Sequence, residues 1–330
     1  MKLFSRRTLA GIAAAATLVL GGCGLSPATA YVPKVAPGTI KEISGLPDDA
    51  QLTIVGKNFT EQLILAKMAV LAVEAAGFKV KDMTDVPGSQ PVRDLMLSGK
   101  GDMTWEYTGT AWLTYMNKAH GIPNQHKQWL AVRKADKKNG LTWLKPAPLN
   151  NTYAIAIKAS NKKKLDGITK LSQIADLPVK ERTFCVESEF NSRSDGMNPM
   201  LKKYGIKRGT PKGVPNSNVK ILDTGAVYSA TAKGLCNFGE VFASDGRIAS
   251  LNLQVLKDDK HFFPAYNATP IVNSQTLKQY PQLKKVFGQI APHITTSTMQ
   301  TLNRKVDVDG EEPANVAFDW MVKKGFIKKP

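Results

Sequence analysis

From Gln51 onward, short apolar runs of strand length alternate with longer stretches of helical spacing. "QLTIVG" (51–56) reads as a buried strand and "NFTEQLILAKMAVLAVEAAG" (58–77) as the helix that follows it. In this reading Asn58 caps the helix with Glu61 three residues on, and Gly77 ends it. "FKVKDMTDV" predicts a second strand, "SQPVRDLMLSG" a helix capped by Ser89, and "GDMTWEY" a third strand. Such a βαβαβ opening implies a mostly parallel sheet covered by helices. A second βα series starts at "TYAIAIKAS" and runs to "CNFGEVFAS" (236–244). "LQVLKDDKHFFPAYNATPIVN" predicts an extended connection, and helical spacing dominates the remainder, ending in "PANVAFDWMVKKGFI". Two βα series and a helical tail predict two α/β lobes, with ligands favoured at the carboxyl ends of strands and between lobes.

The first fifty residues follow neither pattern. Lys2, Arg6 and Arg7 precede the apolar run "LAGIAAAATLVLGG", which is too short to span a bilayer but suits a signal peptide. It ends in "LGGC", which resembles a bacterial lipobox, so residues 1–22 are expected to be removed and Cys23 to carry lipid. "SRRTLAG" also carries the paired arginines of a twin-arginine export signal, a pair common in ordinary leaders. Residues 23–50, rich in Pro, Gly and small side chains, read as a flexible tether. An exported chain meets oxidising conditions, which favours a disulfide between Cys185 and Cys236; two buried free thiols are the alternative.

Composition narrows the function. The 330 residues are 42% apolar, as in a globular protein, with a formal charge of +18. The basic residues are scattered rather than gathered into an arm or patch, which argues against nucleic acid and suits an anionic membrane or cell wall better. The four histidines form no zinc pattern, and no GxSxG or P-loop is present, so the sequence calls for no metal, cofactor or catalytic residue. Binding has more to stand on. Rings or polar donors recur where predicted strands end, in "GKNFTEQ", "WEYTGT", "NNTYA", "SEFNSRSDG", "VFASDGR" and "FFPAY".

"GKNFTEQLIL", "WEYTGTAW", "VFASDGRIASLNLQVLKDDKHFFPAYNATPIV" and the terminal "PANVAFDWMVKKGFI" resemble the substrate-binding proteins of bacterial ABC importers for glycine betaine, carnitine and choline, within the osmoprotectant-binding ProX/OpuC-like group. The likeness runs from about Gln51 to the C-terminus. It implies a type II periplasmic binding fold: two α/β lobes joined by two crossovers, one just before Tyr153 and one near Tyr266. Lobe one is then 51–150 with 267–330, and lobe two 151–266. It further implies an aromatic cage for a trimethylammonium group at Tyr107, Tyr153, Phe242 and Tyr266, and carboxylate-binding positions at Lys57, Thr110 and Arg193. Phe242 stands where the group often has Tyr, which keeps the ring face and loses a hydroxyl. In "WEYTGTAW" Tyr107 is then expected to face the ligand and Trp112 the core, while Trp105 receives no role.

A quaternary ammonium has no N–H to donate, and ring faces attract it at about 0.5–2 kcal/mol each where water is excluded. Lys57 and Arg193 would serve a carboxylate, which favours betaine or carnitine over choline. The expected protein is therefore a monomeric, lipid-anchored capture subunit on the extracytoplasmic face of a bacterial membrane, working with an ABC permease and catalysing nothing. Choline, carnitine, proline betaine or an amino acid are alternative ligands. An extracytoplasmic enzyme and a lipoprotein binding cell-wall polymer are alternative classes. For the anchor, Cys23→Ala is expected to release the protein from membranes or leave it unprocessed, read by fractionation and intact mass. Normal processing with full membrane retention would exclude lipid at this position.

Overall fold

The computed structural model describes residues 31–122 and 124–330. The expected signal peptide, the lipid site at Cys23 and the first part of the tether lie outside the described residues. Among the described residues no helix is long and apolar enough to cross a membrane.

Two five-stranded sheets form the frame. The first has the order β3-β2-β4-β11-β5, built from β2 (Gln51–Lys57), β3 (Lys79–Val86), β4 (Met103–Tyr107), β5 (Leu141–Trp143) and β11 (Ala268–Asn273). The second has the order β10-β6-β9-β7-β8, from β6 (Tyr153–Lys158), β7 (Phe184–Val186), β8 (Val219–Ile221), β9 (Phe238–Phe242) and β10 (Leu253–Val255). The chain crosses from the first sheet to the second between β5 and β6 and returns between β10 and β11. The fold is thus mixed α/β with two sheets.

The sheets are less parallel than the alternation of elements predicts. β2 runs parallel to β3 and β4, and β7 parallel to β8 and β9, but β11 runs antiparallel to β4 and β5, as β6 does to β9 and β10. The antiparallel strands are those that follow the two crossings, where the chain enters a sheet without a covering helix. β11 itself lies inside the segment expected as an extended connection. It carries Pro270, a residue uncommon in central strands because it cannot donate to the ladder, yet the Pro270 carbonyl accepts from Leu144 N–H at 3.0 Å.

Helix α1 (Thr60–Ala75) is buried on nearly every side, packed between the first sheet and the helices Thr296–Asp307 and Pro313–Lys323. Its one buried lysine, Lys67, is ion-paired to Asp82. The expected caps do not form. Phe59 occupies the N-cap position of α1, and neither Asn58 nor Glu61 makes the capping bond. In α2 (Ser89–Leu97) the cap is Gly88 at φ 84°, a left-handed backbone open to glycine, and Ser89 is the first helical residue. In both places tertiary partners outcompete the local cap: Glu61 is drawn into the interior, and the Ser89 N–H donates to Glu189 Oε2 at 3.2 Å.

The tether expectation also needs correction over its second half. β1 (Ala36–Pro37) pairs antiparallel with β12 (Ile327–Lys328), Ile40 is fully buried, and Ile43 N–H donates to the Ala76 carbonyl at 3.0 Å. At Gly38 the segment threads closely past other backbone. A Cβ at Gly38 would sit 2.5 Å from the Gly325 carbonyl oxygen.

Cys185 on β7 and Cys236, just before β9, are joined by a disulfide with Cα atoms 5.6 Å apart, 51 residues apart in sequence. Closing a loop of that length stabilises by about 2–4 kcal/mol through the unfolded chain.

Glu74 near the end of α1 gives a pH test of the fold. Burial, reinforced by Asp82, pushes its pKa from 4.5 to about 7. The folded state therefore holds this proton where the unfolded chain has lost it, so the group costs stability as pH rises through that window. Glu74→Gln is expected to raise the melting temperature at pH 8 and leave it nearly unchanged at pH 4. An equal gain at both pH values would overturn this account.

Candidate functional site

A cleft of about 570 Å³ opens between the carboxyl ends of strands from the two sheets. All seven residues expected to bind ligand line it: Lys57, Tyr107, Thr110, Tyr153, Arg193, Phe242 and Tyr266. Their positions follow from register. Lys57 ends β2 and Tyr107 ends β4, while Tyr153 begins β6 directly opposite Phe242, the last residue of β9. This cross-strand pair sets its ring centroids 5.3 Å apart. Tyr266 enters just before β11 and meets Tyr153 edge-on at 5.7 Å.

The glycine of "YTGT" is what lets Tyr266 in. A Cβ on Gly109 would stand 2.5 Å from the Tyr266 ring, so any larger residue would displace it. Trp105, one residue pair back along β4, is buried in the core. Trp112 packs half-buried against the apolar cluster around Val55 and Trp143, and its indole donates to the His120 carbonyl at 2.9 Å.

A fifth ring went unassigned in the sequence. Phe59 stacks on Phe242 at 5.2 Å and lies 6.3 Å from Tyr107, bridging the rings of the two sheets. The signal was present, since "GKNFTEQ" places it just beyond a strand end, but no pattern separated it from a helix-entry residue.

The cations are committed to partners within the protein. Lys57 Nζ lies 2.7 Å from Glu106 Oε1, with both side chains buried, and 5.2 Å from the Tyr107 ring centroid. Glu106 also accepts from Tyr107 N–H at 2.7 Å and from the Tyr115 hydroxyl at 2.6 Å. Arg193 makes a two-point contact with Asp195, Nε to Oδ1 and Nη2 to Oδ2 both at 2.6 Å. It also reaches Glu189 at 2.8 Å and Thr110 Oγ1 at 3.4 Å, and lies over the Tyr153 ring. Burial opposes charge on Arg193, but the Asp195 carboxylate bonded to it holds the pKa above the ordinary arginine value. Glu189 is held below the usual carboxylate range against its own burial by Lys57 and Arg193. With Glu187 also lining the cleft, carboxylates around it outnumber the two cations, although the chain as a whole carries +18. Sequence reasoning placed the cations and missed the acids that neutralise them. Glu189 and Arg193 stand four apart on one helical turn, the spacing that brings opposite charges together.

Tyr107 and Tyr266 serve as donors. Burial raises the pKa values of Tyr107, Tyr153 and Tyr266 well above the ordinary phenol value, so their hydroxyls stay protonated. Tyr107 donates to Glu61 Oε1 at 2.7 Å and Tyr266 to Asp195 Oδ2 at 2.6 Å. These bonds fix where the far end of each ring lies. Among the described residues no group of three or more His, Cys, Asp or Glu side chains is placed to hold a metal.

The arrangement presents rigid aromatic faces beside compensated ion pairs, a surface able to receive a small organic cation or zwitterion. Comparison with known proteins agrees. Residues 50–323 match the substrate-binding domain of ABC-type glycine betaine transport systems. The chain is 34% identical over 286 residues to a glycine-betaine-binding protein of Pseudomonas aeruginosa, covering 84% of this chain and 89% of that one. It is 27% identical to the carnitine transport binding protein OpuCC of Listeria monocytogenes, covering 82% and 85% of the two chains. A solved structure described as a glycine betaine/carnitine/choline ABC transporter superposes with a TM-score of 0.67 at 28% identity, covering 83% of this chain and 99% of that one. The chain belongs to the family of substrate-binding domains of ABC-type glycine betaine transport systems.

Proposed function

We propose that this protein captures glycine betaine, or a closely related quaternary ammonium osmoprotectant, in the cleft and delivers it to an ABC permease. In this reading Tyr107, Tyr153, Phe242 and Tyr266, joined by Phe59, surround the trimethylammonium group. Lys57, Thr110 and Arg193 face the ligand carboxylate. The protein works as a monomer held to the outer face of the membrane by lipid on Cys23, and has no reaction of its own. Lobe one then comprises 51–150 and 267–330, extended at its N-terminus by the packed segment from Ala36, and lobe two 151–266.

The observation that carries the reading is the convergence of rings from both sheets on a cleft whose cations are already neutralised. A quaternary ammonium makes no directed hydrogen bond, so desolvating it against ring faces, at about 0.5–2 kcal/mol each, is the favourable route. A zwitterion adds no net charge, which suits a site of buried, compensated pairs. A free anion would meet Glu187 and Glu189 and be repelled. Choline is the second reading, favoured by the same carboxylates, because it places a full positive charge among them.

Titration calorimetry with glycine betaine and choline tests both. Tyr107→Leu with Tyr266→Leu removes two ring faces, and the folded double variant is expected to lose about 1–4 kcal/mol of betaine affinity. Full affinity in that variant would end the cage. Lys57 cannot be removed alone without stranding Glu106 in the interior. The neutral pair Lys57→Met with Glu106→Gln should weaken betaine more than choline, and equal losses would remove Lys57 from the carboxylate site.

A further inference from the structure

Glu61 is 2% exposed and receives donors from four separate parts of the chain. Oε1 accepts from the Tyr107 hydroxyl at 2.7 Å and from Asn151 Nδ2 at 2.9 Å. Oε2 accepts from the Ser244 hydroxyl and, at 3.5 Å, from Asn303 Nδ2. Tyr107 belongs to the end of β4, Asn151 to the crossing between the sheets, and Asn303 to the helix Thr296–Asp307. Ser244 alone comes from the second sheet's side, in the loop after β9.

That loop seats itself on the helix Thr296–Asp307. Asn303 Nδ2 donates to the Ser244 carbonyl at 3.0 Å, and Gln300 Nε2 to the Ala243 carbonyl at 3.2 Å. Arg247 Nε lies 3.5 Å from Asp307 Oδ2. The approach is close enough to require glycine: a Cβ on Gly246 would be 2.7 Å from Arg304 Cα. Ser244 is fully buried by this docking.

We propose that the Glu61–Ser244 contact is the latch between the two halves of the protein, and that Glu61 is a positioning residue coupling this latch to the ligand-facing ring of Tyr107. The inference rests on capture of a quaternary ammonium in the cleft. When the halves part, Glu61 Oε2 loses its Ser244 partner, while Oε1 still holds Tyr107 and Asn151 on the first sheet's side. When they meet, one carboxylate ties the ring, the crossing and the opposite half together. Glu61 touches no part of the cleft opening, so its effect on ligand runs through Tyr107 and through closure. A bond made only in the joined form slows release and gives nothing to encounter, because encounter occurs with the halves apart.

Stopped-flow binding of glycine betaine by the mature protein tests this with two independent variants. Ser244→Ala removes the hydroxyl donor, and Gly246→Val blocks docking without touching any polar group. Each is expected to raise the dissociation rate, about tenfold for Ser244→Ala, the effect of one lost hydrogen bond to a charged group, and at least as much for Gly246→Val, with the association rate unchanged or raised. The melting temperature of the ligand-free protein should hold for Ser244→Ala. An unchanged dissociation rate in both variants would overturn the latch, as would a fall in association rate that tracks loss of fold. Should the wild-type protein bind no quaternary amine, the ligand reading fails by itself. Small-angle scattering then still decides the latch, which requires both variants to have a larger radius of gyration than wild type, and equal radii would reject it.

Discussion

Charge burial at the seam between the two sheets is the constraint on which the rest of this structure depends. An ion taken out of water costs several kcal/mol unless it is paired and hydrogen-bonded. Lys57, Arg193, Glu61, Glu106 and Asp195 are all buried there, and each has its partners within the protein. Several of these partnerships join distant parts of the sequence, Lys57 with Glu106, Tyr107 with Glu61 and Tyr266 with Asp195, so satisfying them also fixes where strands end and how rings stand. Tyr107 is oriented by Glu61, Tyr266 by Asp195, and Lys57 by Glu106. The aromatic faces that line the cleft are thus held by the polar network behind them.

This reverses the emphasis drawn from the sequence. By family resemblance, Lys57 and Arg193 look like cations waiting for a ligand carboxylate. In the fold they are the middle members of acid–base clusters, and a ligand carboxylate would join Glu106, Asp195 and Glu189 as a further acceptor. Lysine and arginine can do so because each has more N–H donors than one carboxylate uses. Under the proposed reading, any preference for betaine over choline hangs on a margin between two nearly balanced charge distributions.

Much of the fold was legible because the buried strands are short apolar runs bounded by turns: β2, β4, β6, β7 and β9 all announce themselves this way. What was not legible depends on contacts between distant segments. Nothing local in "KVAPGTIKEI" tells that Ala36–Pro37 pairs with Ile327–Lys328. β11 lies inside a segment that reads as an extended connection, and its place between β4 and β5 is set by strands far away in the sequence. Asn58 and Ser89 have the right chemistry for helix caps, but Glu61 and Glu189 have stronger uses elsewhere. At the site, strand ends singled out the segments and the family resemblance assigned the four rings, whereas Phe59 and the acids stayed unassigned, because their role is set by what faces them across the cleft.

The same network bears on the conditions in which an osmolyte is captured. Exposed charges lose their reach as salt rises, with a screening length of about 10 Å at 0.1 M and about 3 Å at 1 M. A protein at +18 that relied on its surface field would change behaviour whenever ionic strength changed. Under the proposed reading the ligand is a zwitterion with no net charge to steer, and the groups that recognise it are ring faces and buried pairs, which salt screens far less. Recognition has been moved from the surface, where it would depend on salt, into a desolvated seam. The cost is that every buried charge must be matched internally, and the density of carboxylates around two cations is the form that matching takes here.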